Sequence, residues 1–112
     1  MVTVDFDRLQ IRPGFKILDI GCGTGRHTCA AYRLPGVITV GVDLKYADLT
    51  GAAERLLLHD RLGEHGGGMW SLAAADVTGL PFKDDCFDLV ICSEVLEHIE
   101  NYLQAIHEII RV

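Results

Sequence analysis

Polar and glycine residues accompany each of four short apolar runs in this sequence. They are Asp19, Gly21, Cys22, Gly23 and Gly25 at the first run, Asp43 and Leu44 at the second, Asp76 and Val77 at the third, and Ser93 at the fourth. Glycines let a ligand approach backbone N–H groups, because no Cβ obstructs it. Carboxylates accept hydrogen bonds from hydroxyl and amino groups. The pattern indicates a site for a ligand with hydroxyls and a cationic group, although glycines between a strand and a helix also form plain tight turns.

Each of the three aspartates has a ligand-binding and a structural interpretation. An acid inside an apolar strand, such as Asp19, needs a partner. That partner is a bound ammonium group or the backbone of residues 21–25, here called the glycine loop, and the two roles can coexist. Asp43 suits both hydroxyls of a ribose or a helix N-cap, and Leu44 beside it offers an apolar surface to a flat base. Asp76 suits an exocyclic amine or a turn, since a threonine and a glycine follow it.

The spacing of apolar and turn residues predicts alternating strands and helices. Strands are expected over 15–20, 37–42, 69–75 and 87–92, and helices over 26–33, 52–62 and 101–112. The first dozen residues are compatible with a short lead-in helix, and the last helix carries an apolar stripe of Leu103, Ile106, Ile109 and Ile110. Nearly continuous apolar strands favour a parallel α/β sheet with helices on both faces. Ligands bind such sheets at the carboxyl ends of the strands, where the residues above lie.

The composition argues against a membrane or secreted protein and against nucleic acid as a partner. The 112 residues form one domain, 49% of them are hydrophobic, and no apolar run approaches the ~20 residues of a membrane span. The N-terminus is acidic rather than signal-like, so we expect a cytoplasmic protein with its four cysteines reduced and mostly buried. The net charge of −6 without a basic run disfavours nucleic acid and favours a small-molecule substrate. His27, His59, His65 and His107 are predicted to be surface or capping residues.

Five segments together resemble class I S-adenosylmethionine-dependent methyltransferases. They are Ile17-Leu18-Asp19-Ile20-Gly21-Cys22-Gly23-Thr24-Gly25, Gly41-Val42-Asp43-Leu44, Ala75-Asp76-Val77, Leu80-Pro81-Phe82 and Phe87-Asp88-Leu89-Val90. The resemblance implies a Rossmann-like fold and S-adenosylmethionine as cofactor, with the glycine loop under its methionine part. It implies that Asp19 holds the amino group, Asp43 the ribose hydroxyls, Asp76 with Val77 the adenine edge, and that the Ser93 backbone faces the methionine end. A nicotinamide cofactor is disfavoured, because Arg26 stands where G-x-G-x-x-G needs its third glycine.

The segment 93–99 is similar to the ubiquinone-biosynthesis subgroup of O-methyltransferases. Glu94, Glu97 and His98 form an E-x-x-E-H pattern that shares one face of a helix. They are the candidates for a general base, in a solvated or substrate-facing cluster. In a metal-dependent enzyme the same three would bind magnesium, manganese or zinc. We otherwise expect no metal.

The family sheet has seven strands, and this chain supplies the first four in the order 3-2-1-4. We therefore expect a single methyltransferase domain over residues 1–112 that is incomplete at its C-terminus. The fourth strand would be an unpaired edge, which favours a homodimer through that edge or a fragment of a longer protein. The predicted function is methyl transfer to a small-molecule acceptor, and the alternative is a non-catalytic cofactor-binding or assembly module.

Overall fold

Four parallel strands form the centre of the chain. In the computed structural model, which describes residues 4–93 and 99–112, they are β1 (Lys16–Ile20), β2 (Ile38–Asp43), β3 (Met69–Ala74) and β4 (Leu89–Cys92). Their order is β3-β2-β1-β4, and every pair is parallel. The helices are α1 (Arg26–Tyr32), α2 (Tyr46–Leu62) and α3 (Tyr102–Arg111), with a 3-10 turn at Phe6–Arg8. The predicted class and strand order are confirmed.

Helices cover both faces of the sheet because the side chains of β1 alternate between them. Leu18 and Ile20 pack in one cluster with Ala105 of α3. Ile17 packs in a second cluster with Ala31 of α1. All five of these aliphatic side chains are at most 2% exposed, so the central strand is buried from both sides.

Helix α2 begins at Tyr46 rather than at the predicted residue 52. The N–H groups of Asp48 and Leu49 donate to the Lys45 carbonyl and so start the helix without a side-chain cap. Gly51 lies in this first part, and a Cβ there would stand 3.4 Å from the Thr24 methyl group. Gly51 weakens the helix signal in the sequence, but it allows a close contact between α2 and the glycine loop. Local helix propensity does not reveal such a contact.

Only part of the predicted apolar stripe of α3 packs on the sheet, where Ile109 contacts the core cluster. Leu103 and Ile110 are 67% and 76% exposed, whereas Ala105 and Glu108 are buried. The Glu108 carboxylate accepts the Leu80 N–H at 2.8 Å and two donors from Arg111. A buried ion pair thus sets the orientation of the helix.

Among the described residues, no helix is long and apolar enough to cross a membrane. The cytoplasmic location remains a prediction.

Candidate functional site

The predicted site residues of the four strands lie at one edge of the sheet. Asp43 is the last residue of β2, and Ser93 directly follows β4. Asp19 pairs in register with Gly41, one residue before the end of β1. Because the strands are parallel, these positions share the carboxyl-end rim. Glu94, Glu97 and His98 lie outside the described residues, so their roles stay predictions.

The glycine loop has the backbone that its sequence predicts. Gly21, Gly23 and Gly25 have φ of 66°, 55° and 91°, in the region that favours glycine. A Cβ on Gly23 would meet no described atom within 4 Å, whereas a Cβ on Gly25 would stand 3.1 Å from that of Ala52. Gly25 therefore permits close packing against α2. Gly23 leaves an open backbone surface that a ligand can approach.

Asp43 holds this loop in place. One carboxylate oxygen accepts the Gly23 N–H and the other accepts the Lys45 N–H, both at 2.9 Å. Asp43 does not cap α2, since the residue at the N-cap is Lys45. Each carboxylate oxygen has a further acceptor site. Asp43 can therefore support the loop and accept two ligand hydroxyls at the same time.

Asp19 is buried, and its hydrogen-bond partner is a threonine of α1. It is 2% exposed, and Thr28 Oγ1 donates to it at 2.7 Å. Burial raises the pKa of the Asp19 carboxyl to about 6, against the lowering effects of the Thr28 hydrogen bonds and the Arg26 charge. The Thr28 partner escapes sequence reasoning because it lies nine residues away on another element.

Gly41 of β2 lies close to the side chain of Cys22, which is part of the glycine loop. A Cβ on Gly41 would stand 3.1 Å from Cys22 Sγ and 3.0 Å from Thr28 Oγ1. Burial and the nearby Asp19 and Asp43 carboxylates raise the pKa of the Cys22 thiol to about 12. Cys22 is therefore a neutral packing residue rather than a nucleophile. Sequence reasoning missed Gly41, although a glycine inside a β-branched strand signals a close approach.

Asp76 forms the turn that was one of its two predicted roles. Its Oδ1 accepts the Thr78 N–H at 2.9 Å and the Thr78 hydroxyl at 2.7 Å. These bonds hold the pKa of the Asp76 carboxyl below its usual value. The side chain is exposed, and its Oδ2 has no hydrogen-bond partner among the described residues. The turn therefore leaves one oxygen available to a ligand amine.

The other predicted contacts differ in exposure. Leu44 is 69% exposed beside Asp43, so it offers the apolar surface expected of it. The Val77 side chain is buried in the cluster beneath α3, so the Val77 contact with a ligand would be through its backbone. Ser93 is half-buried at the end of β4.

His27 is a correction to the sequence analysis. It was expected to be a surface or capping residue, but it is 5% exposed in the first turn of α1. The inner face of this helix carries His27, Thr28 and Ala31 toward the sheet, and all three are buried. In the part of the chain that the structure describes, no group of three metal-ligating side chains is present.

Comparison with known proteins identifies the family. The model of the methyltransferase domain family matches residues 18–112, which include the end of β1 and all the predicted rim residues. The chain belongs to this family. S-adenosylmethionine is its cofactor, as the resemblance in the sequence implies.

Relatives of this methyltransferase domain act on different acceptors. The chain is 31% identical over 110 residues to the methyltransferase GfsG of Streptomyces halstedii, covering 96% of this chain and 37% of the relative. It is 30% identical over 106 residues to the demethylmenaquinone methyltransferase of Alkalihalophilus pseudofirmus, covering 94% and 43%. The arsenic(III) S-adenosylmethionine methyltransferase of Chlamydomonas reinhardtii has 27% identity and a TM-score of 0.74, with 89% of this chain and 35% of that one covered. The chain thus spans less than half the length of these relatives.

Proposed function

We propose that this chain holds S-adenosylmethionine at the rim formed by the glycine loop, Asp43 and Asp76, for methyl transfer to a small-molecule acceptor. One observation carries the proposal. Asp43 ties the open Gly23 backbone to the end of β2, so a carboxylate and a ligand-accessible loop lie side by side. The cofactor supplies a methyl group already activated by its sulfonium.

Each rim residue has a separate task toward the nucleoside. Asp43 accepts the ribose hydroxyls, and Asp19 supplies negative charge for the methionine ammonium. Asp76 and the Val77 backbone bind the adenine edge, and Leu44 covers its face. The Ser93 backbone lies toward the methionine end. The alternation of acidic and apolar groups matches a ligand with a cationic end and a flat base.

The acceptor is proposed to be a small molecule. Two relatives carry names with small acceptors, demethylmenaquinone and arsenic(III). The net charge of −6 without a basic run disfavours nucleic acid as the acceptor. Glu94, Glu97 and His98 are the candidates for taking a proton from the acceptor, and they would bind metal only in a metal-dependent reaction.

A second copy of this chain is proposed as a partner at the edge of the sheet. Within the described ranges, β4 pairs only with β1, so its other side presents unpaired backbone groups. Such an edge pairs readily with another strand.

Substitution of Asp43 tests the cofactor site. Asp43→Ala should weaken S-adenosylhomocysteine binding strongly, but it also removes the support of Gly23. Asp43→Asn keeps the side-chain volume and one carbonyl acceptor for the Gly23 N–H, and it loses the charge and the acceptor of the Lys45 N–H. We expect roughly 10- to 100-fold weaker binding for Asp43→Asn, as for lost hydrogen bonds to a charged group. Calorimetry measures the affinity, and circular dichroism checks the fold.

The matched control is Asp85→Asn. Asp85 is an exposed loop aspartate with φ of 53°, a conformation that asparagine tolerates. The Asp85→Asn variant should bind S-adenosylhomocysteine with the affinity of the parent chain. Unchanged affinity in a folded Asp43→Asn variant would remove Asp43 from the site, and binding of NAD in preference to S-adenosylhomocysteine would overturn the assignment. Cofactor binding without methyl transfer to any acceptor would favour the non-catalytic module.

A further inference from the structure

A groove of about 700 Å³ runs along the outer face of α1. Its walls come from α1, from α2 and from the segment 4–7 before β1. None of the glycine loop, Asp43 or Asp76 lines it. Ligand sites commonly have roughly 300–1,000 Å³, so the groove has the volume of a small-molecule site.

Helical spacing places arginine and apolar side chains together along the groove. Arg26, Cys29, Ala30 and Arg33 line it from α1, at positions i, i+3, i+4 and i+7 of one helix face. Seven residues of helix put the two arginines roughly 10 Å apart along the axis. Small side chains therefore form a floor between two cationic ends.

Helix α2 adds a third arginine and an apolar side chain. Arg55 and Leu58 line the opposite wall, one turn apart. The positive charge of Arg55 acts on the Cys29 thiol, where it opposes the burial that raises the pKa of Cys29. Arg55 and Cys29 thus line the same groove.

None of these three arginine side chains has an ion-pair partner among the described residues, although the Arg26 charge acts on Asp19 at longer range. Their side chains also make no hydrogen bond in the described part of the chain, whereas the Arg111 side chain makes several. Asp5 also lines the groove, but its carboxylate pairs with Arg8 at 3.2 Å. Asp7 is the other acid in the lining. The groove is therefore locally cationic in a chain of net charge −6.

We propose that this groove is a binding site for an amphipathic anion, a carboxylate or phosphate monoester on an aliphatic chain. The head group pairs with the arginines, which present several N–H donors to such oxyanions. The aliphatic part covers Cys29, Ala30 and Leu58. The site goes beyond the proposed methyl transfer and uses none of the cofactor residues.

Decanoate is the probe for this groove. Decan-1-ol is the uncharged control with the same chain length, and decyl phosphate carries the second anionic head group. Calorimetry on the 112-residue chain, below the concentrations at which the probes form micelles, should show saturable binding of both anions and at least tenfold weaker binding of the alcohol. In ¹⁵N spectra, the amides of Ala30 and Leu58 should shift on titration.

Matched variants separate the groove from general surface binding. Arg33→Gln and Arg55→Gln should each weaken decanoate binding about tenfold, whereas Arg61→Gln, on α2 outside the lining, should not. Leu58→Ala should weaken it about fivefold, and Leu57→Ala should not. The two leucines are 48% and 50% exposed, and only Leu58 lines the groove.

The cofactor provides an independent readout. S-adenosylhomocysteine affinity should be unchanged in Arg33→Gln and Leu58→Ala, so failure of the groove and failure of the cofactor site are distinguishable. Equal binding of decanoate and decanol would overturn the proposal, as would equal losses in Leu57→Ala and Leu58→Ala. Binding of an acidic peptide with no binding of decanoate would also overturn it.

Discussion

The Asp19 carboxyl links protonation to folding at the scale of single residues. Its pKa in the folded chain is about 6, against an ordinary value of 3.8, because burial disfavours the charged form. Between these values the folded state keeps a proton that the unfolded state releases. The contribution of Asp19 to stability is therefore present at low pH and lost as the pH rises through about 6.

Asp19→Asn should remove this pH dependence while keeping an oxygen for the Thr28 hydroxyl. We compare the free energy of unfolding of the parent chain with that of the variant. This difference should fall by at most roughly 3 kcal/mol as the pH rises from 3.5 to 7. Urea titrations of both chains across that range measure it. Parallel pH profiles would show that Asp19 ionises normally.

Cofactor affinity should depend on pH in the opposite direction. In the proposed site the ionised Asp19 pairs with the methionine ammonium, so S-adenosylhomocysteine binding should weaken up to about tenfold per pH unit below 6. Asp19→Asn should bind more weakly at neutral pH and lack this dependence. If the variant keeps the slope of the parent, another group carries it.

At the scale of elements, Gly41 lets β2, α1 and the glycine loop approach one another. A Cβ there would stand 2.8 Å from Leu72 Cδ2, and the buried Cys22 and Thr28 atoms are only slightly farther. Gly41→Ala should cost about 1–3 kcal/mol of stability by overpacking. Gly79→Ala is the matched control, since a Cβ there meets no described atom within 4 Å. Equal thermal midpoints for the two variants would contradict the close packing.

The Glu108–Arg111 pair connects α3 to the segment before β4. Arg111 donates to the carbonyls of Leu80 and Phe82 at 2.9 and 2.7 Å, and Glu108 accepts the Leu80 N–H. The Arg111 hydrogen bonds hold the pKa of Glu108 below its ordinary value, so this stabilisation is lost as the pH falls through the folded value. Glu108→Gln should lower the thermal midpoint at pH 7, and the lowering should shrink in acid. Glu100→Gln, at an exposed position, should change neither the thermal midpoint at pH 7 nor its dependence on pH.

Sequence reasoning predicts the strands better than the contacts between elements. Each apolar run ends at a polar residue, so the rim follows from local patterns, whereas the strand order follows from the family resemblance. The Thr28–Asp19 bond and the Glu108–Leu80 bond join residues 9 and 28 positions apart. Such pairings depend on how helices dock. For the same reason α3 packs through Glu108 while Leu103 and Ile110 face solvent.

At the scale of the whole molecule, the outer side of β4 is the proposed contact between two copies of the chain. We expect sedimentation equilibrium to show reversible dimers as the concentration rises from low to high micromolar, because strand pairing there completes the backbone hydrogen bonds. Hydrogen exchange should then slow at β4 amides with concentration and stay constant at β1. A folded monomer throughout the series would contradict this arrangement.

The docking of β4 also determines which part of the molecule opens first. The Lys16 N–H donates to the Asp88 carboxylate at 2.8 Å across a separation of 72 residues, the longest loop that any pairing of β1 closes. Closing so long a loop costs more chain entropy than joining β1 to β2. Departure of β4 would therefore open this long loop and carry Ser93 away from the rim, and it would leave the Asp43–Gly23 link intact. The chain should open first at its fourth strand while the part of the site formed by Asp43 and the glycine loop keeps its shape.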